Sequence, residues 1–483
     1  MRQGISDSGR NNQPIYERQL GKTGGAVMRC NLAYYSIPLP EDVQKLKTYG
    51  DYAGALKQID YLMGLEKTPE ALKERLNIEK EVLKIMSDCE YPYTYSDALE
   101  ILHKNIRDFQ DEELANLKDI GAVDWMYING EVHFQKKFYD NLVKVRPEYE
   151  ARMLYVDETA EAEKELDLLN KNVRYMKEHG SRTVKTRVRA SIAPKKEFER
   201  PGEKVYVHLP IPKDCKQISK IRILKASHPV TKIAPADAIQ RTIYFETELQ
   251  AGEKIEIEYE YVTHLDYVEL DPEAASNAQP NFYTQEWAPH IVFTPYLRML
   301  LNEILEGETN AVKKARKIYD YVTTHVMYSY MREYFCIENI SEYAAVNLKG
   351  DCGVQALLFI TLCRMAGIPA RWQSGLYVSG PDTTSHDWAQ FYVEPYGWVF
   401  ADLSFGGSAY RKGEIDRWNY YFGNLDIYRM PANSGIQAEL IPPKKHLRAD
   451  EIDNQIGELE FEDCGLSRSQ LDVEQVMVEM IEL

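Results

Sequence analysis

Three residue types with complementary chemistry occur in order along the second half of the chain. Cys352 lies in the segment Gly350-Asp351-Cys352-Gly353, directly before an apolar run, and His386 and Asp402 follow in two β-prone segments. Acyl transfer from an amide needs a thiol that attacks, an imidazole that accepts and returns its proton, and a carboxylate that orients the imidazole. We therefore predict Cys352, His386 and Asp402 as catalytic residues.

The elements that must position these residues can also be predicted. The run 354–366 has helical apolar spacing, and Gly367-Ile368-Pro369 is typical of a helix end, so Cys352 is expected at a helix start. The N–H groups and the positive dipole end of a helix favour thiolate, which is the nucleophilic form of cysteine. The sequence therefore predicts a Cys352 thiol that ionises readily.

His386 and Asp402 are expected on adjacent antiparallel strands. The segment 385–394 alternates like a strand, Pro395-Tyr396-Gly397 predicts a turn, and 398–403 is typical of a second strand. Counted from the turn, His386 lies further away than Asp402, so direct pairing would need a bulge or a longer first strand. The two side chains are nevertheless expected close together at the open end of the hairpin.

The segments GDCGVQALLFITLCRMAGIPAR and SHDWAQFYVEPYGWVFADLSFG together resemble the transglutaminase-like superfamily, and more broadly its bacterial multidomain members. The resemblance covers about 285 to 410 and implies a papain-like core in which Cys352, His386 and Asp402 form the catalytic triad. Leu403 stands where the family often has a smaller residue or proline. The upstream tryptophan that eukaryotic transglutaminases use at the oxyanion has no counterpart here.

This resemblance implies a thiol enzyme that acts on peptide or protein side-chain amides through a cysteine acyl-enzyme. The acyl group then passes to water, as in a cysteine protease or amidase, or to an amine, as in a protein-glutamine transferase. Hydrolysis is slightly preferred, because the sequence shows no amine-binding feature. The alternative from another class is a catalytically silent protein-binding scaffold on the same fold.

Three aromatic residues are candidates for oxyanion or substrate binding. The backbone N–H of Cys352 is one expected oxyanion donor, and a phenol hydroxyl of Tyr328 or Tyr330 could supply a second. Trp388, two positions after His386, joins them as a candidate. Taken singly, Cys352 could be a core thiol and His386 a satisfied histidine, but the third member and the helix position favour catalysis.

The remaining chain predicts an α+β protein in which a helical domain and a small β-sandwich precede the core. The Asn129-Gly130 pair between β-prone flanks predicts a hairpin, and after Gly180 the apolar period changes to two. A winged-helix reader of nucleic acid is a minor alternative. The expected regions are a mainly helical one over 1–182 with a hairpin near 125–134, a β-sandwich over 183–270, a catalytic core over 275–435 and an acidic C-terminal tail over 436–483.

Composition excludes several function classes. The chain carries 58 Lys and Arg residues against 75 Asp and Glu residues, a net charge of −17 that disfavours nucleic acid as a partner.

The polar segment 1–14 and the lack of a long apolar stretch predict a cytoplasmic protein without a membrane span. Seven scattered cysteines without a CxxC pair, and no HExxH or EF-hand motif, predict neither a metal nor a cofactor. The expected partner is a peptide or protein substrate, and the sequence leaves the oligomeric state open.

Overall fold

The computed structural model describes residues 32–154, 159–276, 278–380 and 383–483. Its architecture is α+β, as predicted, with a helical region, a β-sandwich and a mixed core. The segment 1–14, on which the prediction of cellular location rests, lies outside the described residues. Among the helices in these ranges, none is both long enough and apolar enough to cross a membrane.

Short amphipathic helices build the N-terminal region, because apolar residues recur at helical spacing between polar ones. Asn129 and Gly130 have φ values of 50° and 92°, which allow the tight turn of the predicted hairpin. The elements are α1 (Glu41–Thr48), α2 (Tyr52–Gly64), α3 (Glu70–Ile85), β1 (Tyr93–Thr94), α4 (Tyr95–Asn105), α5 (Asp111–Asp119), β2 (Trp125–Ile128), β3 (Glu131–Phe134), α6 (Phe138–Val145), α7 (Pro147–Glu150) and α8 (Thr159–His179).

The sandwich follows α8 and has two sheets with a shared apolar core. Alternation of buried and partly exposed residues along β4 and β9 places Val188, Ile192 and Ile257 inside. Within this region β6 and β4 both pair with β9, and β5 and β7 both pair with β8. The strands are β4 (Ser181–Pro194), β5 (Lys204–Pro210), β6 (Ile218–Ala226), β7 (Lys232–Ile233), β8 (Thr242–Glu248) and β9 (Ile255–Asp266).

A five-stranded sheet and a buried helix form the core. The helix that begins at Cys352 packs on the sheet, with Phe359 edge-on to Phe391 at 5.8 Å between ring centroids. The elements are α9 (Pro295–Leu305), α10 (Ala311–His325), β10 (Met327–Tyr328), α11 (Ile340–Asn347), β11 (Lys349–Gly350), α12 (Cys352–Met365), β12 (Ala370–Val378), β13 (Thr383–Val393), β14 (Gly397–Ala401), α13 (Leu403–Arg411), α14 (Ile415–Tyr420), β15 (Phe422–Gly423) and β16 (Arg429–Asn433). The sheet order is β15-β14-β13-β12-β16.

The prediction of an acidic surface tail over 436–483 is wrong. Residues 452–461 are buried, β17 (Glu458–Glu460) pairs with β5, and β18 (Leu471–Glu482) pairs with β4, so each sandwich sheet gains a strand. Two of the buried acidic residues, Glu458 and Glu460, are compensated by local partners. Glu458 forms an ion pair of 2.8 Å with Lys444. Glu460 accepts backbone N–H groups from the nearby segment 445–446.

Candidate active site

Cys352 occupies the first position of α12, as predicted. The preceding residue, Asp351, is the N-cap, and its Oδ1 accepts a hydrogen bond of 3.2 Å from the backbone N–H of Val354. The parallel pairing of β10 with β11 brings Tyr328 beside Gly350, just before the cap. Cys352 thus lies between the short strand β11 and the rest of α12. The first N–H groups of α12 have no partner within the helix and point out of the N-terminal end at which Cys352 lies.

The structure also joins His386 and Asp402. Strand β13 extends well beyond its partner β14, and their pairing runs from Val393 opposite Gly397 to Ala389 opposite Ala401. The first strand of the hairpin is therefore longer than the second, which is one of the two arrangements that the sequence analysis required for His386 and Asp402 to lie close together. His386 Nε2 lies 2.8 Å from Asp402 Oδ2, and both side chains are buried.

Arg429, which the sequence analysis did not single out, completes this buried group. Its Nη2 lies 2.8 Å from Asp402 Oδ2, its Nη1 lies 3.0 Å from Asp426 Oδ1, and its guanidinium lies 4.2 Å from the Phe405 ring centroid. Burial would raise the pKa of Asp402, but His386 and Arg429 together hold this pKa well below its ordinary value. Burial also lowers the pKa of His386, so its imidazole is neutral at neutral pH.

Cys352 has a different partner from the one predicted. Its Sγ donates a hydrogen bond of 3.3 Å to Asp387 Oδ2. Although both side chains are described, the structure shows no hydrogen bond between Cys352 and His386. The other carboxylate oxygen of Asp387 accepts a bond from Gln455 Nε2, which also lies 3.2 Å from the carbonyl oxygen of His386. The C-terminal segment therefore fixes the residue that binds the thiol.

Gly353 permits this close arrangement. A Cβ atom at position 353 would lie 2.3 Å from the Tyr334 hydroxyl oxygen and 2.7 Å from Asp387 Oδ2. The Tyr334 hydroxyl donates to Asp351 Oδ1. A side chain at 353 would therefore displace at least one polar group beside Cys352.

The predicted readily ionised thiol does not appear in the structure. Burial raises the pKa of Cys352, and the carboxylates of Asp387 and Asp351 raise it further, so the resting side chain is a neutral thiol. A helix terminus contributes up to about 2 kcal/mol, which burial and two nearby carboxylates outweigh here. Burial also raises the pKa of Asp351 to about 6.

Cys352 and Asp387 line a cavity of about 960 Å³ between three parts of the chain. The helical region contributes one wall, the core another, and the C-terminal segment the third. Representative residues from the three walls are Glu90 and Lys136, Tyr334 and Thr384, and Asp450 and Arg468. Within the described residues, His, Cys, Asp and Glu side chains form no group of three that could hold a metal ion.

The three aromatic candidates occupy different positions. Tyr328 and Tyr330 both line the cavity, with Lys144 Nζ 4.1 Å and 4.7 Å from their ring centroids. Trp388 is fully buried, so the prediction that it contacts substrate is wrong. Its ring stacks on His386 at 5.9 Å, and its Nε1 donates a bond of 2.8 Å to Gln373. Its position two residues along the strand places it on the same face as the imidazole.

Comparison with known proteins finds one family match, which falls within the core. Residues 298–403 match the model of the transglutaminase-like superfamily, and this segment includes Cys352, His386 and Asp402. No curated protein matches the chain. A solved structure from Cytophaga hutchinsonii, described as a candidate cysteine protease, is 13% identical; the match covers 62% of this chain and 91% of that chain, with a TM-score of 0.41. The periplasmic domain of TgpA from Pseudomonas aeruginosa is also 13% identical; the match covers 52% of this chain and 96% of that chain, with a TM-score of 0.26.

Proposed function

We propose that this chain, whose residues 298–403 match the transglutaminase-like superfamily, is a cysteine-dependent acyl-transfer enzyme for peptide or protein side-chain amides. The observation that carries the proposal is the buried 2.8 Å hydrogen bond between His386 and Asp402. An ionised Asp402 accepts from Nε2, so the proton lies on Nε2 and the lone pair on Nδ1. This is the tautomer that a general base for a neighbouring thiol requires.

The reaction starts with a change of thiol partner. Cys352 is bonded to Asp387 in the free protein, so rotation about its Cα–Cβ bond must first direct Sγ towards His386. His386 Nδ1 then takes the thiol proton while Sγ forms a bond to the amide carbonyl carbon. Because the pKa of His386 is lowered, the base is neutral and ready to accept this proton.

The second half of the reaction returns the proton. The tetrahedral intermediate collapses, its C–N bond breaks, and the imidazolium protonates the departing amine, which leaves a thioester on Cys352. Water or an amine then attacks the thioester with His386 as base, and the thiol is restored. We favour water as the acceptor, with amine transfer as the other outcome of the same intermediate.

The start of α12 is the proposed site of oxyanion stabilisation. The backbone N–H of Cys352 lies at the positive end of this helix, where a developing negative charge is favoured. Tyr328 and Tyr330 remain our candidates for a second donor, and their place on the cavity wall supports this role. A peptide substrate and a cytoplasmic location are likewise proposed from the sequence.

A catalytically silent binding scaffold is the competing proposal. The contact that favours it is the hydrogen bond from Cys352 to Asp387, because a neutral, engaged thiol is a poor nucleophile. This proposal predicts a protein partner for the cavity and no chemical change in that partner.

The test compares wild type with Cys352→Ala on a pool of cellular peptides, with mass spectrometry of the products. Hydrolysis yields new peptide termini or glutamine-to-glutamate changes, and transfer yields amine adducts that have lost ammonia. We expect either class in the wild type and a loss of more than about 10⁴-fold in Cys352→Ala. Cys89→Ala, which changes another cavity cysteine, should retain full activity. Unaltered peptides in the presence of wild type would favour the scaffold.

A further inference from the structure

A comparison of buried carboxylates points to an unfilled electrostatic role in the cavity. Asp402 is paired with Arg429, Glu79 with Arg75 at 2.9 Å, and Glu458 with Lys444 at 2.8 Å. Asp387 is also buried, at 6% exposed, yet no Lys, Arg or His in the described ranges lies within ion-pair distance of it. Glu460 likewise has no ion pair, but it accepts backbone N–H groups, whereas Asp387 lies on the cavity wall. Buried carboxylates are ordinarily paired or fully hydrogen-bonded, because an isolated charge is costly in a low-dielectric site.

The groups around Asp387 increase the negative potential rather than reduce it. Asp351 faces it from the N-cap of α12, and Asp450 and Asp453 face it from the C-terminal segment. Its hydrogen-bond donors, the Cys352 thiol and the Gln455 amide, are both uncharged. Lys136, Arg448 and Arg468 also line the cavity, but none of them forms an ion pair with Asp387. A positive group that entered the cavity would therefore meet an unpaired carboxylate beside the nucleophile.

The order of events in the proposed reaction indicates which reactant carries this positive group. Asp387 holds the Cys352 thiol before any acyl-enzyme exists, and the thiol must leave Asp387 before it can attack. An amine acceptor binds only after Sγ has been acylated and has lost its proton. Only the acyl donor arrives early enough to replace the thiol on Asp387.

We propose that Asp387 is the specificity-determining residue of this site: it selects acyl donors with a positively charged group next to the reacting amide. The cation pairs with the carboxylate, and the thiol, released from Asp387, turns to His386. The substrate class is thus a basic peptide segment, with a lysine, an arginine or a free α-ammonium beside the amide. This inference rests on the proposed function and adds substrate selection to it.

The first test uses pairs of peptide amides that differ only in charge. Lysine is compared with norleucine at each position near the amide, and a free N-terminus with an acetylated one. We expect wild type to show a kcat/KM at least roughly tenfold higher for the charged member of one pair. Asp387→Asn should lose this preference. Asp463→Asn, which removes an exposed carboxylate from the cavity wall, should keep it.

The second test needs no substrate and follows alkylation of Cys352 by iodoacetamide against pH. In Asp387→Asn an amide N–H can face Sγ and donate to the thiolate, and no carboxylate can ionise beside it, so thiolate should form at lower pH. We expect the midpoint of the alkylation profile to fall by about one pH unit or more, and Asp463→Asn to match wild type. Coincident profiles of wild type and Asp387→Asn would overturn the proposal.

These outcomes separate the two proposals. Turnover that requires Cys352 but shows no charge preference in wild type would overturn the role of Asp387 and leave the acyl-transfer function intact. A preference that persists in Asp387→Asn would do the same. Rates that rise with added free amine, without a charge effect in the acyl donor, would assign the cation to the acceptor and also overturn the proposal. Turnover that persists in Cys352→Ala would instead contradict the proposed function.

Discussion

His386 and Asp387 are consecutive residues of β13, yet their surroundings have opposite electrostatic character. His386 belongs to a closed network in which Asp402 Oδ2 accepts from both the imidazole and the guanidinium of Arg429. Asp387 faces the cavity and has only neutral hydrogen-bond donors. The charges on the His386 side are compensated within the protein, and those on the Asp387 side are not. The first side is suited to holding a base in one orientation, and the second to receiving a ligand.

This difference explains the protonation states of His386 and Cys352. The paired side, formed by His386, Asp402 and Arg429, keeps His386 neutral and oriented. The unpaired side, formed by Asp387 and its uncharged hydrogen-bond donors, keeps Cys352 protonated. A resting thiol and a neutral imidazole form no ion pair, so the free protein does not hold the proposed nucleophile and base as a charged pair. In the proposed reaction, the change that activates the thiol occurs at Asp387 rather than at His386.

The largest effect should follow from breaking the paired side at Asp402. Asp402 is the N-cap of α13, where its Oδ1 accepts a hydrogen bond of 3.1 Å from the backbone N–H of Phe405. In Asp402→Asn the amide oxygen can keep this bond, but the amide presents N–H to His386 and favours the wrong imidazole tautomer. We expect amide turnover to fall by about 10²- to 10⁴-fold, measured as kcat/KM. Asp416→Asn, which alters an exposed ion pair with Lys177, should retain the wild-type rate. Full activity in Asp402→Asn would remove the carboxylate from the mechanism.

Arg429→Met should act mainly on stability. The substitution leaves Asp402 and Asp426 buried without their cation, and breaking a buried pair costs about 3–5 kcal/mol of unfolding free energy. Urea denaturation followed by circular dichroism measures this loss. Lys177→Met, at a surface ion pair, is the control and should change the midpoint little. An unchanged midpoint in Arg429→Met would show that the network is not a stabilising unit.

Gly353→Ala should disturb the unpaired side by a smaller amount. The new methyl group must displace the Tyr334 hydroxyl or the Asp387 carboxylate, at a cost of about 1–3 kcal/mol. Displacement of Asp387 should also speed Cys352 alkylation at neutral pH. Gly64→Ala, at the end of α2 with open space around its Cβ, serves as the control. Equal stability and alkylation in Gly353→Ala and wild type would contradict the packing described for the thiol.

The smallest expected effect is a pair of opposite pH trends. The folded pKa of Asp402 is lowered, so its stabilisation is present above about pH 4 and is lost as pH falls through the folded value. The folded pKa of Asp387 is raised by burial and neighbouring aspartates, so its stabilisation is lost as pH rises from about pH 4. Relative to wild type, Asp402→Asn should therefore lose stability as pH rises, and Asp387→Asn should gain it.

Urea midpoints of both variants, measured from about pH 3 to neutral pH, follow these trends, with changes of about 1 kcal/mol expected. Parallel trends in the two variants would mean that the two carboxylates share one environment, contrary to the comparison.

The sequence identified the parts of the site that depend on local pattern. The helix start at Cys352 follows from its capping residue and from the apolar spacing behind it, and the His386–Asp402 contact follows from a hairpin. The partner of the thiol depends on tertiary structure. Strand alternation did carry one signal, because it directs the side chains of His386 and Asp387 to opposite sides of β13 and so gives them different surroundings.

Other parts of the site could not be predicted because their partners lie far along the chain. Gln455 is 68 residues from Asp387, in a segment whose acidic composition suggested a surface tail. Arg429 is 27 residues from Asp402, and only the folded sheet places it there. Trp388 was misjudged because an aromatic residue near a catalytic histidine can contact either substrate or the histidine. Trp388 is fully buried in the structure, so it contacts the histidine.

The central claim is that Cys352 forms a covalent acyl intermediate with assistance from His386. The most direct measurement mixes the protein with a turned-over peptide amide, quenches the mixture in acid within a single turnover, and examines the Cys352 peptide by mass spectrometry. The account predicts a thioester on Cys352 that accumulates as the amine is released, together with its disappearance in His386→Ala. Release of the amine by wild type with no adduct on Cys352, or equally fast release by Cys352→Ala, would contradict it.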